Sequence, residues 1–380
     1  MAAHLGDFFS NRQEPGRAGL PVMSVTMNDS LVLRDDMERR TESALRPDQH
    51  LLVKAGDIAY NMMRMWQGAC GLAKDDGIVS PAYVVLAPKP GIDSRFAYHW
   101  FKSARMIHLF WAYSHGLTED RLRLYFDAFA EIPIAPPSLE QQRRIVVVLD
   151  AWDQAIEQTE RLIAAKRRRK SAVVGRVLFD LSAKRGFVHD LADVNPRNTK
   201  VSADTVVSFV GMEDVSETGA LATKSDRVRG ELGNGYTQFA NGDILVAKIT
   251  PCFENGKGAL ARGLTNGVGF GTTEFHVIRP HNPADADYLH QVTLTRAFRI
   301  AGERQMTGSA GQRRVPAAFI EDFPIFLIGN NARRTAGNLL ASFDAEMNQL
   351  EARLAALRTQ KRGLMQNLLT GERPLGEKFQ

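Results

Sequence analysis

A chain of 380 residues, 44% hydrophobic and 24% charged, is large enough for two or three globular cores, and its net charge of +5 is mild. The longest aliphatic run, Ile145–Leu149, is too short to cross a bilayer, and the first residues lack a basic stretch followed by an apolar one. Neither a membrane span nor a signal peptide is expected. Cys70 and Cys252 cannot build a disulfide framework, which points to a reducing, cytoplasmic setting.

The first globular unit runs to about residue 137. Leu5-Gly-Asp7 reads as a strand or turn, Leu20–Val25 as a short strand and Asp35–Arg46 as a charged helix. Ala55-Gly-Asp57-Ile58 is a turn feeding a strand, followed by a loop from Asn61 to Gly71. Tyr83-Val-Val-Leu86 is a β-branched, aromatic strand. Phe96–Ala112 is amphipathic and expected to be one helix, Ser114–Arg123 a polar loop, and Phe129–Ile134 a last strand.

After Pro136-Pro137 the pattern changes. Ser138 with Gln141 is a capping box. Leu149, Trp152, Ile156, Thr159, Ile163, Lys166, Lys170, Val173 and Val177 then recur at alternating steps of three and four. This heptad seam predicts a helix reaching about Asp180, roughly 60 Å long at about 1.5 Å per residue. Lys166-Arg167-Arg168-Arg169-Lys170 on it is a dense basic block, either a solvated face or a contact to phosphate backbone.

The second unit, about 185–329, repeats the order of the first. Gly242-Asp243-Ile244 stands to Gly56-Asp57-Ile58 at an offset of 186, and Thr272–Pro280 lies over Ser80–Pro88 at 192. The jump of six residues falls in the loop between those strands, so the scaffold is duplicated and the loop is not. Gly267-Val-Gly-Phe-Gly271 reads as a turn. Adding 191 to the first seam gives Leu340, Phe343, Met347, Leu350, Leu354, Leu357, Lys361, Leu364 and Leu368, a second heptad from about 330 to 375. Polar identities repeat at that offset as well: Asp153 and Asp344, Glu160 and Glu351, Arg167 and Arg358, Lys170 and Lys361. The two long helices are therefore expected to pair along Leu149, Trp152, Ile156 and Ile163 on one side and Leu340, Phe343, Met347, Leu350, Leu354 and Leu357 on the other, with Leu350 and Leu354 buried. The residues after Gly371 are expected to fray.

Catalytic patterns are missing. There is no phosphate-binding glycine loop, no histidine spacing suited to a metal, and no compact nuclease carboxylate motif. What remains suits nucleic acid: Asn61, Arg64, Trp66 and Gln67 in one loop and Thr118, Arg121 and Arg123 in the next. The repeat supplies Lys248, Thr250, Asn255 and Lys257, with Glu254, and then Gln312, Arg313 and Arg314. Arginine, glutamine and asparagine read purine edges, and lysine and threonine take phosphates.

Ile132-Pro-Ile-Ala-Pro-Pro-Ser-Leu-Glu-Gln-Gln-Arg-Arg-Ile145, Lys361-Arg-Gly-Leu-Met-Gln-Asn-Leu-Leu-Thr-Gly371, the two Gly-Asp-Ile turns and the duplication together resemble the specificity subunits of type I restriction–modification systems. The resemblance implies an α+β chain with two mixed target-recognition domains (1–137 and 185–329) and two long helices (138–184 and 330–375) pairing as an antiparallel coiled coil. It implies a non-catalytic subunit that reads an asymmetric, bipartite site on double-stranded DNA. It also implies two methyltransferase subunits as partners, with room for restriction subunits. S-adenosylmethionine would sit on the methyltransferases and ATP on any translocating nuclease, with no cofactor or metal on this chain. One departure is that the second helix starts with Leu327-Ile-Gly-Asn-Asn-Ala332, without the Pro-Pro-Ser-Leu-Glu-Gln sequence. A coiled-coil scaffold joining only proteins, and a cryptic nuclease, are the alternatives. The first predicts no sequence-selective DNA binding, and the second predicts metal-dependent cleavage by the chain alone.

Overall fold

A computed structural model describes residues 3–27, 31–36, 45–179, 182–233, 235–309 and 311–369. The chain divides into two compact units, Met1–Glu160 with Ala352–Gln380, and Arg161–Glu351. Each unit holds one mixed α/β domain and a part of each long helix.

In the first unit, strands Phe9–Asn11, Tyr83–Pro88, Ile58–Asn61 and Cys70–Leu72 form an antiparallel sheet in that order. Ile58, Tyr60, Val84 and Leu86 point to the main core, with Phe9, Phe96, Phe101 and Phe129. Ala59 and Val85 point the other way, into a smaller core with Val53 and Val79. Both faces are covered, which is why these strands read as continuous apolar runs. Two strand pairs flank this sheet, Met23–Val25 with Leu31–Leu33 and Leu51–Val53 with Gly77–Val79.

The second unit repeats the sheet with Ala192–Val194, Phe275–Pro280, Ile244–Ala247 and Gly258–Leu260 in the same order. Here the flanking strands make a second four-stranded sheet, Ser225–Val228, Val206–Val210, Val268–Gly271 and Thr237–Ala240. The Gly-Asp turns match in role. Asp57 accepts from the Lys54 N–H at 2.8 Å and pairs with Arg12 at 2.7 Å. Asp243 accepts from the Ala240 N–H at 2.7 Å but pairs with Arg279, from a different strand, at 2.6 Å.

Several elements differ from the sequence reading. Phe96–Ala112 is two helices, Ser94–Phe101 and Ala104–Ala112, because Ser103 caps the second through the Met106 N–H. Leu5–Phe8 is a helical turn, and Phe126–Ala130 is helical before the short strand Pro133–Ile134. Gly267–Gly271 is mostly strand rather than turn; Gly269 is required because a Cβ there would meet the Phe239 ring at 2.2 Å. In the charged segment Asp35–Arg46, residues 37–44 lie outside the described residues, and Arg34–Asp36 is a 3-10 turn. The tail from residue 370 lies outside them too.

The long helices are Leu139–Val177 and Asn330–Leu369. The capping box forms: the Ser138 N–H donates to Gln141 Oε1 at 3.2 Å and the Gln141 N–H donates to Ser138 Oγ at 3.4 Å. In the first unit Ile145, Val146 and Leu149 share a core with Leu364, Met365 and Leu368. In the second, Val173, Val174 and Val177 share one with Ala336 and Leu340. The start of one helix thus packs with the end of the other, which is antiparallel pairing. Leu149 and Leu340 are fully buried and Ile163 and Phe343 nearly so. Trp152, Ile156, Met347, Leu350, Leu354 and Leu357 are half-buried. The expectation that Leu350 and Leu354 are buried is corrected: where no α/β domain packs on the seam, a residue has a single neighbouring helix to cover it.

Candidate nucleic-acid interface

The basic block is largely engaged by the helix pair. Lys166 meets Glu346, Arg167 meets Glu351 and Lys170 meets Asp344, each at 2.6 Å. Arg169 lies over the Phe343 ring at 5.8 Å and Arg168 is exposed. The first unit carries the mirror set, Arg358 with Glu160 at 2.6 Å and Lys361 with Asp153. The repeated identities at offset 191 are therefore reciprocal ion pairs: Lys170–Asp344 becomes Lys361–Asp153, and Arg167–Glu351 becomes Arg358–Glu160. Most of the block therefore has partners on the other helix, and Arg168 is left exposed.

The same register fastens each domain to the helices. Gln142, fully buried, donates to the Gly91 and Pro137 carbonyls at 3.1 and 2.9 Å and accepts from the Asp93 N–H at 2.8 Å. At the equivalent place Arg333 pairs with buried Asp285, at 2.8 Å through Nε and 3.0 Å through Nη2. Buried His99 lies 3.4 Å from Asp150 and 3.9 Å from Asp153. These three could offer ligand atoms to a metal, but Asp153 is already held by Lys361. Burial lowers the His99 pKa. His290 is its counterpart; burial drives its pKa down to about 4, against the opposing pull of Asp344 and Asp287. Gln142, Arg333, His99 and His290 were not singled out in the sequence, although the offset of 191 marks each pair.

In each α/β domain, the two loops expected to read DNA come together. In the first, Asn61 Oδ1 accepts from the Met63 N–H at 3.0 Å, opening a turn that Gly68, at φ +86°, closes. Met65 is buried beneath it. Trp66 is half-buried and donates to the Met63 carbonyl at 3.0 Å, while exposed Arg64 reaches Gln67 at 3.3 Å. The second loop is a hairpin in which His115 and Arg123 exchange backbone bonds of 2.9 Å. The Leu124 N–H then donates to the Met62 carbonyl at 2.9 Å and joins hairpin to loop. Thr118, Arg121 and Arg123 are exposed.

The second domain builds the same pair of loops. Thr307 and Arg314 exchange backbone bonds of 3.0 and 2.8 Å, and the Thr250 and Val315 N–H groups donate to Arg313 and Lys248 carbonyls at 3.0 and 2.9 Å. Its side chains are more committed. Arg314 grips Glu274 through Nε at 3.0 Å and Nη2 at 2.8 Å, which holds the Glu274 carboxyl below its ordinary range. Arg313 reaches Glu254 at 3.4 Å, and Thr250 donates to the same carboxylate at 2.7 Å. Lys257 donates to the Met212 carbonyl at 3.0 Å, and Lys248 is half-buried. Gln312 and Asn255 are exposed.

Comparison with known proteins agrees with this architecture. Residues 25–166 match the family model described as Type I restriction modification DNA specificity domain. The chain is 38% identical over 185 residues to the Type I restriction enzyme EcoEI specificity subunit of Escherichia coli, covering 44% of this chain and 31% of that protein. It is 44% identical over 138 residues to the EcoAI specificity subunit of the same organism, covering 36% and 23%. Those matches span about a third or less of the relatives' length. The fold resembles the S subunit of a type I restriction–modification system from M. genitalium, with a TM-score of 0.59 at 14% identity over 97% of this chain and 95% of that one. A chain from a study of type I R-M complex assembly and conformational transition gives 0.51 at 13% identity, over 97% of each. Two mixed domains and an antiparallel helix pair define the fold class of restriction–modification S subunits. Within that class, residues 25–166 carry the match to the type I specificity-domain model, and part of the chain is similar to type I specificity subunits.

Proposed function

We propose that this chain is the DNA-specificity subunit of a type I restriction–modification complex in the cytoplasm. It reads an asymmetric, bipartite site on double-stranded DNA and positions methyltransferase subunits there, two in number, with restriction subunits as further partners. Catalysis, S-adenosylmethionine and ATP belong to those partners. The division into 1–137, 138–184, 185–329 and 330–375 is part of this reading. The carrying observation is that a two-loop platform recurs in both recognition domains on one scaffold, with different side chains on each. A repeated frame with unlike loops suits two unlike half-sites. Arg64, Arg121, Arg123, Asn255 and Gln312 are the exposed candidates for base or phosphate contact.

Methylation-sensitive sequencing of host DNA with and without the gene tests this. Loss of methylation at one split, non-palindromic motif supports it. Unchanged methylation, with no salt-dependent, sequence-selective binding by the assembled complex, would favour the protein-only scaffold.

A further inference from the structure

Leu117 is 95% exposed, more than any other large apolar side chain among the described residues. An exposed leucine alone means little, because much of any protein surface is apolar. Its setting is what distinguishes it. It stands at the tip of the hairpin closed by the two His115–Arg123 bonds of 2.9 Å, and the Arg121 N–H donates to the Thr118 carbonyl at 2.9 Å inside the turn. Gly116 has no room for a side chain, since a Cβ would lie 2.6 Å from the Arg121 carbonyl oxygen, so the tip is tightly built. The hairpin is anchored to the 61–68 loop through Leu124 and Met62. Arg121 and Arg123 follow on the same hairpin, exposed and with no side-chain partner among the described residues. In the second domain the residue at the same place after the glycine is Ser309.

We infer that Leu117 reads the 5-methyl group of a thymine in the half-site bound by the first recognition domain. This rests on the DNA-reading function proposed above. Among the groups that base pairs show in the major groove, the thymine methyl is the apolar one, and a tightly bonded tip that also carries two exposed arginines can bring a leucine onto it. The polar tip of the second domain makes no such contact, so the methyl dependence belongs to one half-site.

The test uses the full chain with its methyltransferase subunits and duplex oligonucleotides bearing the methylated motif recovered from the host. Each thymine is replaced in turn by deoxyuridine, which removes only the methyl group. The half-site of the first domain is assigned by exchanging residues 61–71. Wild type should lose about fourfold in affinity at one position of that half-site, the equivalent of one buried methyl group. Leu117→Ala should bind thymine and deoxyuridine duplexes alike there and keep its selectivity elsewhere; circular dichroism confirms that it folds. Three results overturn the inference: indifference to deoxyuridine throughout that half-site, a half-site without an A·T pair, or full discrimination retained by Leu117→Ala. Absence of any sequence selectivity in the wild-type complex would instead refute the DNA reading itself.

Discussion

Gln142 and Arg333 stand 191 residues apart, at equivalent points where a recognition domain meets a long helix. The first uses a neutral amide to satisfy two carbonyls and one N–H; the second uses a guanidinium against the buried Asp285 carboxylate. The hairpins differ in the same sense. Arg121 and Arg123 are open to solvent, while Arg313 and Arg314 are held by Glu254 and Glu274. The scaffold has been duplicated with its geometry and its helix–helix ion pairs kept, while the polar chemistry at this junction and in the hairpins has been replaced. Positions that join elements tolerate exchange as long as every buried polar group keeps a partner.

This comparison can be broken most sharply at the junctions. Removing one partner of a buried ion pair leaves the other charge uncompensated. Arg333→Gln or Asp285→Asn should therefore destabilise the protein by about 3–5 kcal/mol in denaturant unfolding. Gln142→Ala should cost less, about 1–3 kcal/mol, because it strands neutral groups. Equal losses on the two sides would show that the change of chemistry is immaterial.

The junction histidine gives a pH signature. His290 keeps a pKa of about 4 when folded, below the ordinary value near 6.5, so the unfolded chain takes up its proton first. The stability is present above about pH 6.5 and is lost as pH falls toward 4, by about 3 kcal/mol over that window. His99 is shifted the same way. His290→Gln should flatten this acid limb in unfolding measured from pH 7 to 4; an unchanged limb would remove the histidine as its cause.

Smaller effects belong to the helices. The double variant Leu350→Asp, Leu354→Asp strikes half-buried positions and should cost about 2 kcal/mol or more and weaken complex assembly. Wild-type melting of this variant would contradict seam pairing there. Lys170→Asp should cost about 1 kcal/mol, and adding Asp344→Lys should recover most of it, as the swap restores the pair. Finally, Glu274→Gln frees Arg314 and should steepen the salt dependence of DNA binding by at most about one unit, whereas Arg121→Ala should make it shallower by a similar amount.

Periodicity carried the largest features. The helices, their pairing and the duplicated scaffold were legible because apolar residues repeat at fixed intervals in sequence, while the antiparallel direction came from the family resemblance. Charge was read less well. Lys166–Lys170 looks like a free basic face, since the carboxylates that meet it lie some 180 residues away. The identities Asp153/Asp344 and Lys170/Lys361 held the missing clue, because a reciprocal pair must conserve both partners at one offset. His99 and His290 obey that same offset. The meeting of the two loops in each domain was not read from the sequence, and the clamping of Arg313 and Arg314 depends on Glu254 and Glu274, which no local pattern ties to each arginine. Leu117 carried no signal in sequence, where an apolar residue in a loop reads as buried.

The central claim, that two unlike platforms on one frame read two unlike half-sites, is tested most directly by methylome sequencing of cells carrying a loop-exchanged variant. Residues Asn61–Gly71 are replaced with those of a relative of different specificity, and everything else is kept. The account predicts a split motif in which one half changes and the other half stays as in wild type. A palindromic wild-type motif, or a change in both halves on exchanging that single loop, would contradict it.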